Sequence, residues 1–137
     1  MPKTFTAAFA QTNITGVAEA TLASVVTTNN PTNTVLIATA GTEGALFTRL
    51  TAVPRATVAA TALYVFVSKD VGATKMLVDS ELMAAYTAAT TTKIPKTTFV
   101  DINTTTPIRL AAGDKVYVSI AVALASGIVF TAELTDF

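Results

Sequence analysis

The chain has 137 residues, of which 51% are hydrophobic and 13% are charged. This length and apolar content suit one domain that can bury a core, so we expect a single domain over residues 1–137. Its nine basic and nine acidic side chains cancel. Without a basic excess to neutralise phosphates or anionic lipid headgroups, we expect neither direct nucleic-acid binding nor membrane-surface binding as a main function.

The residue types that most often perform catalysis are missing. The sequence contains no cysteine and no histidine, which removes thiolate chemistry, the commonest general base and the commonest metal ligand. The serines lie outside the G-x-S-x-G and S-x-x-K patterns of serine nucleophiles. We therefore predict that the protein is not an enzyme and uses neither a metal nor a cofactor.

Apolar and polar residues alternate in short runs along the chain, with the period of two that is typical of β-strands. Residues 1–12 are interpreted as an extended N-terminal arm that contains the first run. In chain order, the predicted strands are 5–9, 20–27, 35–39, 45–53, 59–68, 97–102, 106–110, 115–124 and 128–135, and residues 74–83 can form a further one. Most of them are separated by turn-forming residues such as Gly, Pro, Asn and Asp.

Residues 80–89 fit two interpretations. The strand that begins at residue 74 can continue into this stretch. Alternatively, the stretch is rich in alanine and places Leu82, Met83 and Tyr86 at helical spacing, which favours a short helical turn. The sequence leaves both possibilities open.

The connections between runs predict how the strands pair. The glycine-rich residues 41–44 predict a hairpin loop, and residues 125–127 predict a second hairpin between the last two strands. In the turn at 111–114, the side chain of Asp114 is expected to hydrogen-bond to nearby backbone. Residues 63–67 are apolar on both faces, which predicts a central strand covered on both sides. The predicted fold class is all-β, an antiparallel two-sheet sandwich of jelly-roll type with about eight or nine strands.

Two sets of residues are candidates for a site. Asp79 and Glu81 are two positions apart, so in a strand they share a face and could act as an acid/base pair or hold a cation. Ordinary solvent-facing carboxylates are the favoured interpretation, because Ca²⁺ needs more oxygen ligands than this segment gathers. Phe5, Phe9 and Phe137 lie near the chain ends, where large apolar groups are seldom buried by their own segment, and they are the predicted contacts with other proteins.

Residues 110–118, Leu-Ala-Ala-Gly-Asp-Lys-Val-Tyr-Val, match the L-x-x-G-D-x-V-x-V turn and strand of many jelly-roll domains. A longer stretch, made of residues 50–56, 63–70 and 129–133, is similar to small virion proteins of tailed phages and prophages. Within that group the chain most resembles capsid decoration proteins, also called cement proteins.

This resemblance implies a structural protein of the virion, made in the bacterial host cytoplasm, which binds the outside of a phage capsid across capsomer junctions. It implies the major capsid protein of an HK97-like shell as partner, and self-association as a dimer or trimer. It transfers no functional residue, because cement proteins share no site signature. The alternative is a fibre, spike or tail module that binds a host receptor or glycan, with Tyr86 and the loop at 87–95 as its candidate contacts.

Overall fold

The computed structural model describes residues 12–137 of the chain. Over these residues the chain forms nine β-strands and no helix, so that part of the chain has no helix able to span a membrane. The strands are β1 (Thr12–Ala20), β2 (Val35–Thr39), β3 (Ala45–Pro54), β4 (Thr61–Ser68), β5 (Met76–Met83), β6 (Thr97–Thr98), β7 (Ile108–Leu110), β8 (Lys115–Ile120) and β9 (Ile128–Asp136). The predicted strand at 5–9 lies outside the described residues.

The strands form two antiparallel sheets packed face to face. The first sheet has the order β1-β9-β3-β6, with β7 also paired to β3, and the second has the order β2-β8-β4-β5. The predicted fold class, an all-β two-sheet antiparallel sandwich, is therefore confirmed.

The pairing follows one long hairpin that has been rolled up. Its turn is the segment 69–75 between β4 and β5, and strands at similar chain distances before and after that turn pair with each other. Going outward from the turn, β4 pairs with β5, β3 with β6 and β7, β2 with β8, and β1 with β9. Because successive pairs alternate between the two sheets, the result is the jelly-roll arrangement.

The core lies between the sheets and is built by alternation along each strand. In β9, the fully or almost fully buried residues Ile128, Phe130, Ala132 and Leu134 alternate with outward-facing ones, as the sequence predicts. Phe47 and Phe99 are also completely buried in this core. Burying each such aromatic side chain contributes about 1.5–3 kcal/mol, so the alternation determines which face of each strand is turned to the core.

The outer face of the second sheet is covered by the segment 21–34. At one end of the segment, the Ser24 amide donates to the Ile120 carbonyl at 2.8 Å, and in its middle the Asn29 carbonyl accepts from the Lys75 amide at 2.8 Å. These bonds carry the segment from β8 across the sheet to the start of β5. Phe66, which alternates away from the core between Val65 and Val67, is completely buried, so β4 is covered on both sides at this position, whereas the outward-facing Tyr64 is only half-buried.

The predicted strand at 20–27 is therefore wrong. The strand before it, β1, spans Thr12–Ala20, and the following residues form only an isolated bridge between Ala23 and Ile120. The apolar side chains that suggested a strand belong instead to a segment that crosses a sheet face.

Both predicted hairpins are also wrong. Residues 41–44 connect β2 in the second sheet to β3 in the first, and residues 121–127 connect β8 in the second sheet to β9 in the first. A glycine-containing turn between two alternating runs has the same local pattern whether the chain pairs with itself or crosses to the other sheet. Among the nine strands of residues 12–137, the one hairpin of consecutive strands is β4–β5.

The two interpretations of residues 80–89 are resolved in favour of the strand. β5 runs to Met83 without any helical turn, and beyond it Tyr86 and Val58 exchange two backbone hydrogen bonds of 2.9 Å. This bridge extends the ladder of the β4–β5 hairpin and buries the Tyr86 side chain. Several other predicted strands are shorter in the structure, and β8 in particular ends at Ile120.

Candidate interaction surface

β5 is an edge strand with several exposed apolar side chains. It pairs with β4, and over residues 12–137 no strand lies along its other edge. Met76, Leu77, Val78 and Leu82 are 51%, 44%, 46% and 69% exposed, respectively. An edge strand of this kind offers free backbone donors and acceptors together with apolar area, the combination that favours addition of another strand.

The opposite side of the sandwich is closed. There β1, at the edge of the first sheet, approaches β2, at the edge of the second, so closely that a Cβ on Gly16 would lie 2.3 Å from the Ile37 carbonyl oxygen. The absence of a side chain at Gly16 lets the two backbones meet. Within the described residues, β5 is thus the long edge that remains accessible.

The register of β5 places its two carboxylates on one side. Asp79 lies opposite Val65 and Glu81 opposite Leu63, and a bulge at Val78 shifts the pairing before them. Because Val65 and Leu63 point into the core, both carboxylates lie at the rim of the sandwich on its inner side. The prediction that they share a face is confirmed.

Asp101 brings a third carboxylate to this rim from the connection after β6. Burial raises the pKa of Asp79, a hydrogen bond from the Ser80 amide opposes this, and the negative charges of Asp101 and Glu81 raise the pKa further. Asp70, the acidic residue nearest in sequence before them, does not join the group. We call the side chains of Asp79, Glu81 and Asp101 the acidic rim.

The acidic rim has no basic partner in the described part of the chain. The ion pairs of residues 12–137 are Arg49–Glu133, Arg55–Glu19 and Lys69–Asp114. In the same range, no three histidine, cysteine or acidic side chains are arranged to hold a metal ion. The rim is therefore a negatively charged border beside the exposed apolar residues of β5.

The turn before β5 presents an apolar side chain at its tip. Ser68 donates from its Oγ to Asp70 Oδ1 at 2.9 Å, and the amides of Gly72 and Thr74 donate to Ser68 Oγ and Asp70 Oδ1, both at 2.8 Å. The hydrogen bonds from Thr74 and Ser68 lower the pKa of Asp70. They hold Val71 at a φ of 61° with 80% of it exposed.

A β-branched residue in this left-handed conformation is strained, since its Cβ crowds the backbone. Strain of this kind persists where the surroundings impose it and often marks a functional position. Sequence reasoning predicted a turn here but not the conformation of Val71, for which a valine between Asp70 and Gly72 is only a faint signal.

The predicted aromatic contacts do not form part of this surface. Phe137 is half-buried, and its amide donates to the Gly44 carbonyl at 3.2 Å, next to the connection between β2 and β3. It follows β9 in the first sheet, whereas β5 lies in the second. Phe5 and Phe9 lie outside the described residues.

Of the candidate contacts of a glycan-binding module, the aromatic side chain is buried. Tyr86 is only 7% exposed and is held by its bridge to Val58, so it cannot serve as a stacking platform, although residues 87–95 beside it are exposed. An open groove lies elsewhere, on the first sheet, around the Arg49–Glu133 pair at 4.0 Å. Thr48, Thr98, Ile102, Asn103 and Thr104 complete its lining, which includes no aromatic ring.

No family model, no curated protein and no solved structure matches this chain. The features that bear on function are therefore those of the chain itself. They are an open, apolar strand edge, an acidic rim beside it, and a hydrogen-bonded turn with an exposed apolar tip. These features can bind another macromolecule.

Proposed function

We propose that the protein is a cement protein, a structural component of a phage virion that binds the outside of the capsid across capsomer junctions and stabilises the shell. The observation that carries the proposal is the exposed apolar edge of β5, continued by the exposed tip at Val71. The resemblance of residues 110–118 and of the longer stretch to small virion proteins supports the same function.

The proposed mechanism is mechanical. Each copy would bury apolar area against the major capsid protein of an HK97-like shell, and this binding stabilises the assembled state by mass action. The low charge content, 13% of residues, suits a protein packed closely against many neighbours. Each contact adds little, but the contacts repeat over the whole lattice.

Binding to shells tests this function directly. Purified protein is mixed with expanded shells of the phage that encodes it, and bound copies and the shell's Tm are measured. We expect saturable binding and a raised Tm for the natural chain, and loss of both for the double variant Leu77→Lys/Leu82→Lys. Val17→Lys is the matched control, since Val17 is 63% exposed on β1 in the other sheet.

Two results would refute the cement function. One is a failure of the natural chain to bind the shells at all. The other is binding that leaves the shells no more heat-resistant than bare ones. A copy number of a dozen or fewer per particle would indicate the alternative, a fibre, spike or tail module.

A further inference from the structure

The side chains of β5 divide between the two faces of the second sheet. Asp79 and Glu81 point to its inner side, because their partners on β4 face the core. Leu77 and Leu82 point to its outer side, because their partners on β4 alternate with the core-facing ones. A strand that pairs with this edge therefore meets carboxylates on its inner side and leucines on its outer side.

The backbone of Ser80 faces the open edge. On β4, the Ala62 carbonyl accepts from the Ala121 amide at 3.0 Å, on the side of β8. The backbone of Tyr64, two residues further on, is directed to the same side, so it does not bond to Ser80, its partner on β5. The Ser80 amide donates instead to Asp79 Oδ1 at 2.8 Å. This carboxylate thus occupies a donor that an added strand would use.

The acidic rim has a place for a cation. Asp79 Oδ2 is buried and has no hydrogen-bond partner among residues 12–137. Burial and the charges of Asp101 and Glu81 raise the pKa of Asp79. Glu81 Oε2 accepts from the Val100 amide at 3.5 Å, and Val100 is 65% exposed. A lysine or arginine placed here would offset the negative charge, and its aliphatic stem would pack on Val100.

The carboxylates restrict which strands can pair with β5. Inward-pointing charges on an edge strand deter unspecific pairing. A wholly apolar strand would bury the carboxylates without partners, which is costly. A second copy of β5, paired antiparallel about a twofold axis, would place the carboxylates of both chains on the same inner side, where like charges repel. The edge therefore favours a strand that brings cations.

We propose that the β5 edge binds an extended segment of a partner protein in which lysine or arginine alternates with apolar residues. The basic side chains lie on the inner side, beside the acidic rim, and the apolar ones pack on the outer side, against Leu77 and Leu82. A basic side chain that bonds to Asp79 frees the Ser80 amide for the added strand. The identity of the partner rests on the proposed function, which makes it a segment of the capsid lattice.

Three labelled synthetic peptides of equal length test the chemistry of the segment. The first alternates lysine with valine, the second alternates glutamate with valine, and the third has the composition of the first with all lysines grouped at one end. Fluorescence polarisation measures their binding to the full-length protein. We expect saturable binding of the alternating lysine peptide and at least about tenfold weaker binding of the other two, because only the first brings cations to one face and apolar groups to the other.

Two double variants of the protein locate the binding. Asp79→Asn/Glu81→Gln removes two charges of the acidic rim and should bind the alternating lysine peptide at least about tenfold more weakly. Glu43→Gln/Glu133→Gln is the matched control, since it changes the net charge equally at exposed positions away from β5, and should bind as the natural chain does. Thermal unfolding shows that both variants fold. In NMR spectra, the Ser80 amide should become protected from exchange when the peptide binds.

Three outcomes would overturn the proposal. The natural chain does not bind the alternating lysine peptide, it binds the grouped peptide equally well, or the loss of the two rim charges leaves binding unchanged. These measurements need no shell, so the two proposals can fail separately. Peptide binding without shell binding would refute only the cement function. Shell binding by a protein that does not bind the peptide would refute only the chemistry assigned to the segment.

Discussion

The ammonium group of Lys69 bonds to the carboxylate of Asp114 and so joins the β4–β5 turn to the connection between β7 and β8. The same carboxylate oxygen accepts from the Ala111 amide at 2.8 Å, as the sequence predicted for this turn. Asp114 is only 4% exposed, whereas the Lys69 side chain is 64% exposed. The Lys69 ammonium group and the Ala111 amide therefore stabilise the buried carboxylate, and the carboxylate in turn holds the 111–114 turn together.

Replacing Asp114 should destabilise the protein, and the loss should be larger for alanine than for asparagine. Asp114→Ala removes both interactions and leaves the Ala111 amide without its acceptor, at a cost of about 3 kcal/mol. Asp114→Asn keeps an oxygen that can accept from Ala111 and should cost about 1 kcal/mol. Urea unfolding measures both. Equal losses for the two variants would contradict the role of the side chain in the turn.

Val71→Gly should stabilise the isolated protein. The substitution relieves the strain of a valine at a φ of 61°, and after the added entropy of the unfolded glycine chain the net gain is about 1 kcal/mol. The midpoint of urea unfolding should rise with an unchanged m value. Val71→Ala is the control, because alanine keeps a Cβ in the strained region. A loss of stability in Val71→Gly would show that the conformation is not strained.

Gly16→Ala should destabilise the closed side of the sandwich. The new Cβ would lie 2.3 Å from the Ile37 carbonyl oxygen, so β1 and β2 would have to separate, at a cost of about 2 kcal/mol. Gly113→Ala is the comparison, since a Cβ there would meet nothing within 4 Å and only its φ of 78° is unfavourable. Its expected cost is about 1 kcal/mol. Urea unfolding of both variants tests this, because Gly16→Ala should lose more stability than Gly113→Ala, and the reverse order would contradict the close approach of β1 and β2.

The acidic rim should make stability depend on pH. The pKa of Asp79 is higher in the folded than in the unfolded chain, so its contribution is most favourable below the unfolded pKa and is lost as pH rises through the folded pKa. Asp79→Asn should therefore raise the Tm at pH 7, and this gain should shrink as pH falls towards about 4. Glu81 and Asp101, whose negative charges act on Asp79, remain in both proteins.

Asp70→Asn is the matched comparison for that experiment. The pKa of Asp70 is lowered by hydrogen bonds from Thr74 and Ser68, so its contribution is present above the unfolded pKa and is lost as pH falls through the folded one. The variant should have a lower Tm than the natural chain at pH 7, and the difference should shrink in acid. Parallel behaviour of the two variants would contradict the opposite directions of their pKa shifts.

Alternation along single strands was predictable, and connections between strands were not. The buried faces of β8 and β9 follow from the period of two, because the apolar side chains on one face of each strand are buried in the core. The same period says nothing about which sheet the next strand joins. The connection at 121–127 therefore suggested a hairpin, although it crosses from the second sheet to the first.

The candidate surface was predictable only in part. The shared face of Asp79 and Glu81 follows from their spacing, but Asp101 reaches them through folding from a distant position in the sequence. The open edge of β5 depends on strand order, which no local pattern contains. Phe137 stays a predicted contact, and the hydrogen bond of its amide to the Gly44 carbonyl is a long-range contact that the sequence does not reveal.

The rolled hairpin fixes the order in which the sandwich can be completed during synthesis. β1 and β3 both pair with β9, and β2 pairs with β8, so three of the first four strands wait for partners in the last quarter of the chain. A nascent chain can close the β4–β5 hairpin early, but neither sheet until residues beyond Lys115 leave the ribosome. Chains broken off before that point lack partners for most of their strands, so incomplete copies are barred from any assembly that requires the folded domain.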